Sequence, residues 1–182
     1  FVDSRGNPLP ILAIVYSPLA TICYEQGNFD AAEKYARLGI ELSQRLFSSE
    51  VLGGDCEVVL ARTAVQRGNV NAAFEMLQET AAVARQRGVM MVAYKMAFVQ
   101  AELHLLQGNL TEAEIYLEEV AAQLPSGLPK TTQLITHLQA RYWVAAGQPE
   151  KALTSLTKLE PLAEENGYKR LLMGIYLTRA LA

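Results

Sequence analysis

Residues able to do chemistry are few in this chain, and they are dispersed. The segment Gly127-Leu128-Pro129-Lys130-Thr131-Thr132 is its nearest approach to a phosphate loop. It lacks the G-x-x-x-x-G-K spacing that lets successive backbone N–H groups cradle phosphate oxygens, and no strand pattern precedes it. What remains there is a helix N-terminus with some capacity for an anion. His104 and His137 are the two histidines, and neither has a metal-ligating partner at i+4 to share one helix face. Cys23 and Cys56 lie among apolar residues without CxxC spacing, which reads as reduced core thiols in a cytoplasmic protein. Glu112, Glu114, Glu118 and Glu119 form an acidic face best read as solvated surface. These residues support neither catalysis nor a metal or cofactor site, so the chain reads as a non-enzyme.

A repeat carries far more information. Gln26-Gly27-Asn28-Phe29-Asp30-Ala31-Ala32, Arg67-Gly68-Asn69-Val70-Asn71-Ala72-Ala73, Gln107-Gly108-Asn109-Leu110-Thr111-Glu112-Ala113 and Ala146-Gly147-Gln148-Pro149-Glu150-Lys151-Ala152 share one pattern. Their glycines stand 41, 40 and 39 residues apart. Glycine accepts the left-handed conformation that ends a helix and reverses the chain. Asn28, Asn69 and Asn109 follow at the N-cap of the next helix, with Asn109 and Glu112 forming a capping-box variant. Pro149 suits the first helical position. Ala32, Ala73, Ala113 and Ala152 come five residues after each glycine, and Ala20, Ala61, Ala101 and Ala140 come seven before it. Small residues at both places let two antiparallel helices approach closely.

Periodicity then places helix pairs at about 11–26 and 29–46, 50–67 and 70–87, 91–107 and 110–123, and 131–146 and 149–165, with a ninth helix over 168–182. The repeats run over about 11–47, 50–88, 91–124 and 131–166, with a half repeat at 168–182. One hairpin cannot bury both its faces, so the units must stack. The expectation is an all-α protein, a right-handed α-solenoid of tetratricopeptide-like (TPR-like) hairpins forming a single domain over 1–182. Connectors fall at Phe47-Ser48-Ser49 and at Leu124-Pro125-Ser126-Gly127-Leu128-Pro129, the second being the best hinge.

Composition agrees. Of 182 residues, 51% are hydrophobic and 19% charged, and alanine and leucine make up more than a quarter, favouring helix. A net charge of −3 argues against a nucleic-acid surface. The apolar stretch from Leu9 to Cys23 is broken by Pro10, Ser17, Pro18 and Thr21 and cannot span a bilayer; no secretory signal is visible. The missing initiator Met, and a helical pattern running up to Ala182, read as a module cut from a longer polypeptide. Its ends should expose apolar surface and could pair in an end-to-end dimer.

The repeat also suggests a binding face. In TPR solenoids the first arms line the concave side. Six residues before each turn glycine stand Thr21, Arg62, Glu102 and Arg141, a polar ladder; three before it stand Tyr24, Val65, Leu105 and Val144. Lys95 and His137 flank the ladder. An Arg pair separated by Glu could fork to carboxylates, hydroxyls or phosphates of a ligand. The plainer reading is inter-repeat ion pairs, each worth under ~1 kcal/mol. Tyr142 and Trp143 read as core beside Ala140.

The period of about 40 residues is longer than the standard 34 of a TPR unit. With Gly6-Asn7-Pro8-Leu9-Pro10 leading to Tyr24-Glu25-Gln26-Gly27-Asn28-Phe29-Asp30-Ala31-Ala32, and Val65-Gln66-Arg67-Gly68-Asn69-Val70-Asn71-Ala72-Ala73 after it, the chain resembles the sensor region of MalT-like transcription regulators of the LuxR family. Gly53-Gly54 and Gln148-Pro149 depart from that pattern. The resemblance implies an effector-sensing segment that binds a small-molecule inducer or a regulatory protein and signals to neighbouring modules. One of those modules would bind ATP and another DNA, leaving this segment without cofactor, nucleic acid or membrane contact. The alternative is a general TPR scaffold for peptide segments of partner proteins, unrelated to transcription.

Overall fold

The computed structural model describes residues 11–46, 54–123 and 129–182. Among the described residues there is no strand, and the helices are α1 (Ile11–Glu25), α2 (Phe29–Leu46), α3 (Asp55–Gln66), α4 (Val70–Gln86), α5 (Met90–Leu106), α6 (Leu110–Gln123), α7 (Pro129–Ala145), α8 (Pro149–Glu165) and α9 (Lys169–Leu181). They begin and end within two residues of the spans read from periodicity, except α3. That helix starts at Asp55, not at 50, because Gly54 before it adopts a left-handed φ of 75°. A Cβ at Gly54 would meet Met96 Cε at 2.8 Å, the end of a flexible side chain that can turn aside, so the left-handed backbone is what requires glycine there. The Gly6–Pro10 entry, Phe47–Ser49, Gly53 and the 124–128 part of the proline-rich connector lie outside the described residues.

The four repeat glycines do what their spacing requires. Gly27, Gly68, Gly108 and Gly147 have φ between 71° and 80°, and a Cβ on any of them would touch nothing within 4 Å. Backbone conformation alone selects glycine at these turns. At Gly27 the amide donates to the carbonyl of Tyr24 at 2.9 Å and the next amide, of Asn28, to that of Cys23 at 2.9 Å, the paired closure of a Schellman turn. Gly68, Gly108 and Gly147 repeat it. So do Gly88 and Gly167, which close the turns from second arms back to first arms. Capping is less uniform than the sequence suggests. Asn28 Oδ1 accepts from the Ala31 amide at 3.2 Å, whereas Asn69 makes no side-chain cap bond and the Asn109 amide donates to Gln107 Oε1.

Ala20, Ala32, Ala61, Ala73, Ala101, Ala113, Ala140 and Ala152 are all 0% exposed. Both alanine rows are thus buried in every hairpin, and Ala20 with Ala32 and Ala140 with Ala152 share a core cluster.

The chain divides into two compact units, Phe1–Met96 and Ala97–Ala182, the boundary falling inside α5. In the first, α1 packs on α2, α2 on α3 and α3 on α4, and α1 also touches α3. Ala20, Ala32, Ala36, Cys56, Val59 and Leu60 form its core, with Tyr24, Tyr35 and Ile40 packed around them. A Cβ on Gly39, inside α2, would lie 2.7 Å from Cys56 Sγ, so α2 and α3 could not approach as they do with alanine there. Burial, seconded by Glu57 and Asp55, pushes the Cys56 thiol up to about 12, so it stays an unreactive thiol. Arg67 bridges Asp30 and Glu33 from the end of α3 to α2, while Arg37 bonds Glu33 at 2.7 Å. The bond from Arg37, aided by Arg67, holds the Glu33 carboxyl below the usual range. In the second unit α7 packs on α6, on α8 and on α9, and α8 on α9. Leu156 and Ile175 centre one cluster and Leu117 and Leu138 another.

Candidate functional site

In the second unit the first arms α5, α7 and α9 surround a cavity of about 470 Å³. This is the size range of small-molecule sites. Leu105 comes from α5, His137, Arg141 and Val144 from α7, and Leu177, Thr178 and Leu181 from α9. The hairpin period explains the convergence. Leu105 and Val144 both stand three residues before a turn glycine, so equivalent points of successive first arms face the same space.

His137 sits where α7 and α9 touch. Its Nε2 lies 3.0 Å from Thr178 Oγ1, and that hydroxyl donates to the Gly174 carbonyl at 2.8 Å. A hydroxyl has one proton, already given to Gly174, so the imidazole must be the donor through Nε2–H. Burial lowers the His137 pKa from 6.5; the charge of Arg141 acts in the same direction, while the Gly174 backbone and Glu102 oppose it. The ring is neutral at pH 7. A buried histidine with a depressed pKa binds fewer protons than its unfolded counterpart as the pH falls through 6.5. Its contribution to stability is therefore full above that pH and declines as acid approaches the folded pKa. Between about pH 7.5 and about pH 5.5, His137→Gln is expected to flatten part of the stability loss of the parent chain, read as denaturation midpoints across the series. An unchanged slope would refute a neutral buried imidazole.

Gly174 makes this contact possible. A Cβ there would stand 2.6 Å from His137 Cε1 and 3.0 Å from Nε2. Gly174→Ala gains about 1 kcal/mol of helix propensity but overpacks a ring held by a hydrogen bond, at about 1–3 kcal/mol. The expected net result is a loss of about 1 kcal/mol in urea denaturation, with the His137–Thr178 bond weakened.

Arg141 is the one permanently charged side chain on the cavity wall among the described residues. Glu102 Oε1, on α5, stands 3.6 Å from Arg141 Nη1, an ion-pair separation longer than a hydrogen bond. Of the polar ladder, the second unit thus brings Glu102 and Arg141 together, with His137 beside them. The other expected site residues belong to the first unit. Thr21 donates its hydroxyl to the Ser17 carbonyl at 3.1 Å, and Tyr24 packs on the core with its ring 5.7 Å from Phe29. Arg62 is half-buried on α3. Lys95 is tied to Asp55 Oδ1 at 2.7 Å.

Sequence reasoning missed Thr178 and Gly174, yet a signal existed. Lys95 and Asp55, Arg141 and Glu102, and His137 and Thr178 are 40, 39 and 41 residues apart, one repeat each. It also missed a smaller cavity of about 230 Å³ in the first unit, between Glu57, Glu79, Thr80 and Val92. Burial raises the Glu57 carboxyl, its own backbone opposing. His104 stacks on Tyr116 with centroids 5.6 Å apart, a packing role, and Lys130 stands over the Tyr168 ring at 5.7 Å. Tyr142 and Trp143 are half-buried against the core clusters. Among the described residues no three His, Cys, Asp or Glu side chains gather as a metal site, and no helix is long and apolar enough to cross a membrane.

Helical hairpins closed by left-handed glycines and sealed by buried alanines define a TPR-like repeat protein. More particularly, the chain belongs to the MalT-like TPR region family, whose model matches residues 2–182. No curated protein and no solved structure gives a match to it.

Proposed function

We propose that this chain is the non-catalytic sensing segment of a bacterial transcription regulator of the MalT-like, LuxR-family kind, acting in the cytoplasm. It takes a small-molecule inducer or a regulatory protein on its first-arm face and passes the change to neighbouring modules, one of which would carry ATP and another the DNA-binding function. The observation that carries this reading is the cavity between α5, α7 and α9, lined by His137, Arg141 and Thr178 among apolar walls. Membership of the MalT-like TPR region family supports it. Helix–helix contacts such as those of α7 with α9 give a bound effector a way to alter how successive hairpins pack.

The test is thermal unfolding of the chain against sugars, nucleotides, amino acids and organic acids. A saturable rise of a few degrees, about 1–2 kcal/mol of linkage, is expected for an effector. Its loss in Arg141→Ala, but not in Lys158→Ala on α8, would place that effector in the cavity. The second reading, a scaffold for partner peptides, is favoured by the exposed apolar row Met173, Leu177 and Leu181 on α9. It predicts a flat screen together with capture of an amphipathic partner helix.

A further inference from the structure

We infer that the α5–α7–α9 cavity selects a small apolar monocarboxylate, its body against Leu105, Val144, Leu177 and Leu181 and its carboxylate on Arg141. The inference rests on the sensing role proposed above and names the ligand class for that site.

Three features of the wall point this way. The first is charge: Arg141 lines the cavity, whereas its counter-ion Glu102 does not. A cationic ligand would meet the guanidinium and no carboxylate on the wall. Glu102 approaches only to 3.6 Å, so the forked donors of Arg141 are not committed to a close bidentate pair with it. The second is spent hydrogen-bonding capacity. The Nε2–H of His137 is engaged with Thr178, and the Thr178 proton with the Gly174 carbonyl. A polyol would bury several hydroxyls with few groups left to satisfy them. The third is apolar area. Leu177 and Leu181 are 65% and 78% exposed at the cavity margin, so a hydrocarbon or aromatic body would cover surface that now faces water.

The experiment titrates the chain with 4-phenylbutyrate, its primary amide and 4-phenylbutylamine, followed by calorimetry. The carboxylate is expected to bind about tenfold to a hundredfold more tightly than either analogue, since it alone makes charge-assisted bonds to a guanidinium. Arg141→Gln should abolish that preference and Arg141→Lys should keep part of it. Leu177→Glu, at an exposed position where folding is not at stake, should weaken all three probes by removing apolar wall and weaken the carboxylate most, because it also places a like charge there. Equal affinity for all three probes overturns the inference, as does carboxylate binding untouched by both Arg141→Gln and Leu177→Glu. If no probe binds while a sugar, nucleotide or amino acid stabilises the chain through Arg141, the ligand class is wrong and the sensing role stands. If no compound of any class binds and only a partner helix is captured, both fail.

Discussion

Leu156→Ala is expected to remove about 2–5 kcal/mol of stability, a large share of the roughly 5–15 kcal/mol that holds a domain folded. Leu156 is 0% exposed at the centre of the cluster formed by Ala140, Ala152, Leu159 and Ile175. It lies on α8, which packs against both α7 and α9. Truncation therefore leaves a void that three helices would have to close together, and interiors packed at crystal density relax only partly into such voids. Helix content followed against urea gives the value. Leu153→Ala, three residues away on the solvent side and 39% exposed, should lose well under half as much. Equal losses from the two substitutions would contradict the described burial of α8.

The second large effect has the opposite sign of volume. Ala140→Leu adds three carbons where α7 meets α8 and where the native methyl is 0% exposed. Overpacking of this kind costs about 1–3 kcal/mol, and the rigid helix pair can relieve it only by moving apart. Because Arg141 and His137 ride on the same helix, the ligand binding proposed for the cavity should fall along with stability. Ala180→Leu, on the exposed side of α9, is the matched control and should be close to neutral. Paired thermal-denaturation curves decide the matter: equal midpoints for the two variants would show that small residues are not required at the hairpin crossing.

Both expectations rest on positions legible in the sequence. The −7 and +5 alanines follow from their spacing to the turn glycines, and all eight are fully buried. Gly54, Gly88 and Gly167 are less visible, since they stand outside the repeated turn motif, Gly88 and Gly167 closing turns between hairpins and Gly54 preceding α3. The three nevertheless share the left-handed φ of the repeat glycines. Capping is less legible: an asparagine after a helix-ending glycine has several partners within reach, and Asn109 donates to Gln107. In the site, the ladder register pointed to Arg141 and Glu102, because equivalent places one period apart lie side by side. His137 was placed beside the ladder, but its contact with Gly174 and Thr178 depends on a glycine in mid-helix, which periodicity treats as a defect and not as room for a ring.

The buried alanine rows have a consequence for how such chains diversify. The methyl groups buried between paired helices touch neither solvent nor the cavity, while Leu177 and Leu181 at the cavity margin are largely exposed. Substitutions at those two margin places can accumulate without disturbing the helix crossings, whereas Gly174 and His137 are held by the packing of α7 on α9. Chains descended from one ancestor can then come to differ at the cavity margin while inheriting the same scaffold unaltered.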